Sequence, residues 1–243
     1  YHSIGSDSMS VNESTFENSI KFLKQHYQIV PVSELIELQW NSRNQKGYCS
    51  ITFDDCFQSV YQNAVPILEQ HNIKATFYAT INYIGTSLWG NKETNKWSQN
   101  KFDNFNNEYP MMTLEQLKLL VTMGHEIGCH TFSHRNLDDL DSKGLQHEIG
   151  DSKIYLEHLL DCKISSFAYP RGIVNKNSSA VLEENNYANA VTTQKKYVYK
   201  SNDRYSICRY AGPNKAAAIK DITESAAKLP MKYIYRYIRN KIH

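Results

Sequence analysis

The feature that most constrains this chain is the regular alternation of short apolar runs with stretches of helical periodicity. Tyr48–Phe53, Lys74–Thr80, His125–Cys129, Ile164–Tyr169, Ala188–Thr192 and Tyr205–Tyr210 read as strands. Between them, residues 58–71, 113–123, 142–160 and 178–186 read as helices. Strands that alternate with helices specify a parallel sheet wrapped by helices, an α/β fold. Upstream, Phe16, Ile20, Leu23 and Tyr27 fall at helical spacing, so a helix is expected over 14–27. A short strand at 28–30 and a helix at 34–39 complete the series. The Thr113-x-x-Gln116 capping box and Gly124 delimit one helix sharply. Pro66 is expected to bend another. About seven strands, with no G-x-G-x-x-G and no P-loop, favour a closed or nearly closed β/α barrel over an open doubly wound sheet. The expected organisation is one domain over residues 1–243.

Two stretches break the rhythm. Residues 85–110 are polar, with Trp89, Trp97, Phe102, Phe105 and Tyr109 interspersed. A loop this long serves function or stays loose, so its aromatics either wall a substrate groove or pack locally. Residues 230–243 are basic, with Ile234, Ile238 and Ile242 four apart. That pattern suits a C-terminal helix, which either packs on the barrel or makes peripheral contact with an anionic membrane.

Charge and cysteine content narrow the classes further. Lys+Arg number 27 against 25 Asp+Glu, and a net charge of +2 is too small to imply nucleic-acid binding. No run of eighteen apolar residues is present. The five cysteines (Cys49, Cys56, Cys129, Cys162 and Cys208) have no short spacing and form neither a disulfide framework nor a zinc ribbon. Unpaired thiols lean toward a reducing compartment, but the location stays open between cytoplasm and cell envelope.

Chemistry concentrates at strand ends. Asp54-Asp55 follows the strand ending at Phe53, and two adjacent carboxylates there need a cation or a proton between them. Such a pair also serves as a helix cap and first-turn acid. His130-Thr-Phe-Ser-His134 follows another strand, and two histidines four apart can bind one metal. Two buried structural histidines would look the same. Taken together, two His and one Asp make a catalytic zinc-type donor set with positions left open for water.

Thr52-Phe53-Asp54-Asp55, Gly128-Cys129-His130-Thr131-Phe132-Ser133-His134 and Phe167-Ala168-Tyr169-Pro170-Arg171-Gly172 resemble, in that order, three motifs of the polysaccharide deacetylases of carbohydrate esterase family 4. The likeness runs from about residue 48 to 192. It implies a distorted (β/α) barrel and a metal-dependent hydrolase that removes N-acetyl groups from the amino sugars of a polysaccharide or glycan precursor. Asp55, His130 and His134 would hold one divalent metal, zinc by default with nickel or cobalt possible. Asp54 would be the general base. The backbone N–H of Tyr169, beside Pro170, would face the oxyanion. The chain departs from the common pattern twice: the late Leu-x-x-His is absent, and Ala168 stands where the third motif has Arg. Both departures resemble the permuted poly-N-acetylglucosamine deacetylase subgroup, whose domain opens with a Tyr-His pair. Tyr1-His2 matches, so His2 is expected to be the general acid. Arg171 and Arg209 are unranked candidates to orient Asp54. Cys56 and Cys129 read as buried thiols, and His71 and His125 as scaffold. The rival readings are a hydrolase of another small amide or ester and a metal-free glycan-binding pseudoenzyme.

Overall fold

The computed structural model describes residues 1–6, 10–41, 47–87, 109–194 and 203–212. In chain order its elements begin β1 (Ser3–Ile4), β2 (Ser10–Val11), α1 (Glu13–His26), β3 (Tyr27–Ile29), α2 (Val32–Asn41), β4 (Gly47–Cys49), β5 (Thr52–Asp54), α3 (Val65–Gln70) and β6 (Thr76–Ala79). They continue α4 (Leu114–Thr122), β7 (Glu126–Cys129), α5 (Ser142–Leu145), α6 (Ser152–Leu160), β8 (Ser166–Ala168), α7 (Ser178–Glu184) and β9 (Asn189–Val191). Most of the expected insertion, residues 88–108, and all of the expected C-terminal helix lie outside the described residues. Among the described residues, no helix is long and apolar enough to cross a membrane.

Five strands form one curled parallel sheet in the order β5-β6-β7-β8-β9. The pairs β1-β2 and β3-β4 are separate two-stranded ladders. Among the described residues the sheet thus has five strands where about seven were expected: the expected strand at 28–30 pairs with β4 outside it, and the expected last strand contributes a single bridge at Ile207. Residues beyond the strands still extend its edges. Tyr1 brackets β5, donating from its backbone nitrogen to Thr52 O and accepting from Asp54 N, both at 2.9 Å. At the other edge Ile207 pairs in parallel with Val191. The expected strand Tyr48–Phe53 is cut in two, since its first part pairs with β3 and its second with β6.

Strand alternation separates two apolar layers. Phe53, Phe77, Ile127, Phe167 and Ala190 face the helices and join Phe16, Leu68, Leu117 and Leu156 in the main core. Phe53 stacks on Phe77 with ring centroids 5.0 Å apart. The neighbouring positions Tyr78, Ala168 and Val191 pack with Val32 and Ile207 in a smaller cluster on the other face. Pro66, expected to bend a helix over 58–71, marks a change within it. Having no N–H to donate, it sits at the start of α3 behind a widened π-type turn, Val60–Ala64. Thr113 and Gln116 form the expected reciprocal cap on α4.

Candidate metal-centred active site

The site forms at the C-terminal ends of β5 and β7. Asp54 and Asp55 would point to opposite faces in a regular strand. The chain instead turns sharply after Asp54, with left-handed φ of 67° at Asp55 and 60° at Cys56. Thr131 (φ 69°) and His134 (φ 59°) make a comparable turn after β7. Left-handed backbone at non-glycine residues costs about 1–2 kcal/mol each and clusters at functional sites.

These turns bring three buried ligand atoms together. Asp55 Oδ1 lies 3.6 Å from His130 Nε2 and 3.5 Å from His134 Nε2. All three ligand atoms fall within 4.8 Å of one another. A tetrahedral cation with bonds of about 2.0–2.1 Å spaces its ligands about 3.4 Å apart. The donor set therefore fits a divalent cation in both chemistry and spacing. His130 Nδ1 donates to Ala168 O at 2.7 Å, which leaves its Nε2 lone pair aimed at the site. Burial pushes the pKa of both His130 and His134 down to about 4, so both imidazoles are neutral at pH 7.

Asp54 has a different environment. Arg209 donates from Nη1 to Oδ1 at 2.7 Å and from Nη2 to Oδ2 at 2.8 Å. The same guanidinium donates from Nη1 to Thr52 Oγ1 and from Nε to Thr192 O, each at 3.0 Å. Its central carbon lies 5.6 Å from the Tyr78 ring. Burial alone would raise the Asp54 pKa, but Arg209, with help from His130, holds the carboxyl well below the usual range. The carboxylate is therefore ionised and fixed in orientation.

His2 completes one side of the site. Its Nε2 is 4.0 Å from Asp55 Oδ2, and its side chain is 57% exposed, open to a ligand arriving from solvent. Arg171 has a different setting from Arg209. It lies on the His134 side, coupled electrostatically to His134 and to Asp139. Tyr169 corrects the expectation set out above. Its backbone N–H donates to Val191 O at 3.1 Å as part of the β8–β9 pairing, so it is not turned toward a substrate oxygen. The Tyr169 ring packs edge-on against Phe167 in the main core, and Pro170 beside it is buried. Cys56 and Cys129 are buried thiols outside the ligand set, and burial raises both pKa values.

One contributor escaped the sequence reading. Glu148 lies in a widened turn, Gln146–Asp151, between α5 and α6. Its carboxylate accepts from Phe132 N at 3.0 Å, from Ser133 N at 2.8 Å and from Ser133 Oγ. A signal was there to read. Leu145, Glu148, Ile149, Ser152 and Leu156 trace one buried helical stripe, and an acid on such a stripe needs a partner.

The polysaccharide deacetylase family model matches residues 41–190, more than half of the chain and all three motif-bearing strand ends. The chain belongs to the polysaccharide deacetylase family. This deacetylase is 26% identical over 217 residues to the poly-beta-1,6-N-acetyl-D-glucosamine N-deacetylase of Staphylococcus epidermidis, covering 85% of this chain and 69% of the relative. The enzyme of that name from Staphylococcus aureus is 25% identical over 210 residues, covering 82% and 67%. Among solved structures the fold is similar to IcaB from Ammonifex degensii, with TM-score 0.73, 20% identity, and 91% and 94% of the two chains covered. It is also similar to the Streptococcus pyogenes deacetylase PplD in complex with acetate, with TM-score 0.71, 24% identity, and 86% and 88% covered. As in its family generally, the hydrolysis is metal-dependent, and the Asp-His-His cluster offers a site for the metal.

Proposed function

We propose that this deacetylase removes acetyl groups from N-acetylglucosamine units of a β-1,6-linked polymer, with Asp55, His130 and His134 holding one divalent cation. The observation that carries the reading is the convergence of this neutral-His and carboxylate donor set beside an Arg-clamped second carboxylate. The staphylococcal relatives support the substrate class. Zinc suits two imidazoles and a carboxylate, and nickel or cobalt would fit the same donors. When bound, such a cation supplies Lewis acidity toward the acetamide carbonyl and the attacking water.

The chain's own residues carry the protons. Asp54, kept ionised by Arg209, takes a proton from the attacking water. Arg209 holds the carboxylate bidentately, so its orientation does not drift as charge moves. His2, half exposed at the rim, delivers a proton to the departing amine nitrogen. One water is consumed, and one acetate and one free amine appear. We read residues 1–243 as a single catalytic domain, because Tyr1 and Arg209, from distant parts of the chain, both bond to β5.

The test is acetate release from a β-1,6-N-acetylglucosamine oligomer by zinc-loaded protein. Equal amounts of acetate and free amine, absent with Asp54→Asn, are the expected result. Wild-type protein that holds zinc and releases no acetate would contradict the substrate assignment.

A further inference from the structure

The five residues from His130 to His134 contain both histidines of the candidate metal site, and their backbone is costly to hold. Thr131 and His134 are both left-handed. On one side this segment is tied to the end of β6, where Ile81 N donates to Thr131 O at 3.3 Å and Asn82 N to Phe132 O at 2.9 Å. Within it, His134 N donates to Thr131 Oγ1 at 2.8 Å. On the opposite side the Phe132 ring packs against His147 and Tyr155, and the backbone is held by the carboxylate of Glu148, which is 2% exposed. Its two oxygens take the N–H groups of Phe132 and Ser133 and the Ser133 hydroxyl. These are charge-assisted bonds to the residues lying between the two ligands.

The helix is shaped to deliver that carboxylate. It widens over Gln146–Asp151, with Ser152 N donating to His147 O. Ser152 Oγ caps the freed Glu148 carbonyl at 2.7 Å. Gly150 leaves room for the hydrogen-bonded Gln146–Asn185 side-chain pair, because a Cβ there would stand 2.1 Å from the Gln146 side chain and 2.6 Å from that of Asn185. Widened turns of this kind are frequent at functional sites.

We infer that Glu148 is a positioning residue for the metal centre, fixing the spacing of His130 and His134 by clamping the backbone between them. The inference rests on the metal-site reading proposed above and extends it to a residue that touches neither metal nor substrate. A purely structural Glu148 would set stability alone. A positioning Glu148 sets metal affinity in protein that is still folded.

The experiment is Zn(II) affinity by competition with a chromophoric chelator, on wild type, Glu148→Gln, Ser133→Ala and His130→Ala. Far-UV circular dichroism and thermal melts of the metal-free forms accompany it. Glu148→Gln keeps the shape but loses the charge and one acceptor. Removing a partner that orients metal ligands weakens affinity about 10–100-fold, and that loss is expected in folded Glu148→Gln. Ser133→Ala removes one of the three bonds and is expected to weaken binding less, by about 3-fold, taking roughly a third of the logarithmic loss. If Glu148→Gln does not fold, Ser133→Ala decides: weaker binding in a folded variant supports the clamp, and unchanged binding overturns it. Folded Glu148→Gln that binds Zn(II) as tightly as wild type overturns the inference, even with the metal site intact. Wild type binding no better than His130→Ala overturns the metal-site reading itself and the inference with it.

Discussion

Arg209 grips Asp54 through two parallel hydrogen bonds, 2.7 and 2.8 Å long, across 155 positions of sequence. The third motif places Ala168 where the common family pattern has an arginine, and Arg209 approaches the carboxylate from the far edge of the sheet instead. A buried carboxylate left without its cation is costly. Arg209→Met is therefore expected to lower stability by about 3–5 kcal/mol, measured by urea unfolding. Arg209→Lys restores charge without the planar fork. It should keep zinc and lose turnover with little change in KM. Wild-type turnover in Arg209→Lys would show that the bidentate geometry is dispensable.

The two proposed proton carriers separate by phenotype. Asp54→Asn is expected to keep its metal and abolish turnover. His2→Ala should also keep its metal and slow turnover about 10²–10⁴-fold, the usual contribution of a general acid. Acetate-release kinetics beside elemental analysis make the distinction. Wild-type speed in His2→Ala would assign the amine's proton to another donor.

Gly128 allows the Tyr78 ring to lie across β7. A Cβ there would stand 2.4 Å from two ring carbons, and the Tyr78 hydroxyl is anchored 2.6 Å from Ser166 Oγ. Because the Arg209 guanidinium sits beside that ring, Gly128→Ala should disturb both packing and catalysis. A loss of about 1–3 kcal/mol is expected from overpacking, read as a lower urea midpoint together with a lower kcat. An unchanged midpoint would mean that the ring moves freely.

Three buried histidines set an acid limit. Burial lowers the pKa of His125, His130 and His134 to about 4, from an ordinary value of 6.5. Between those values the unfolded chain binds more protons than the folded one, so stability rises with pH there. Metal-free protein should thus be at full stability above about pH 6.5 and lose it progressively toward pH 4. Thermal melts in chelator across that range test this. A melting temperature flat from pH 7 to 4.5 would contradict it.

The parts legible in the sequence were those that depend on local pattern. Alternating strands and helices and the Thr113–Gln116 cap follow from neighbours in the chain. Asp55, His130 and His134 were legible as one donor set because each follows a strand, and parallel strand ends meet. What stayed hidden depends on distant partners. Nothing near Arg209 distinguishes it from Arg171, since its role comes from an edge segment reaching across to β5. The capture of the Tyr169 N–H by Val191 O depends on the β8–β9 register. The three partners of Glu148 lie 15 and 16 residues away, on a loop whose path the sequence does not reveal.

The most direct test of the account is metal stoichiometry by elemental analysis of purified protein, wild type beside His130→Ala, each after incubation with zinc. The account predicts about one zinc per chain in wild type and its loss in the variant, because the three-ligand set drops to two. Wild type that holds no zinc, or a variant that holds as much, would contradict a metal centre built on Asp55, His130 and His134.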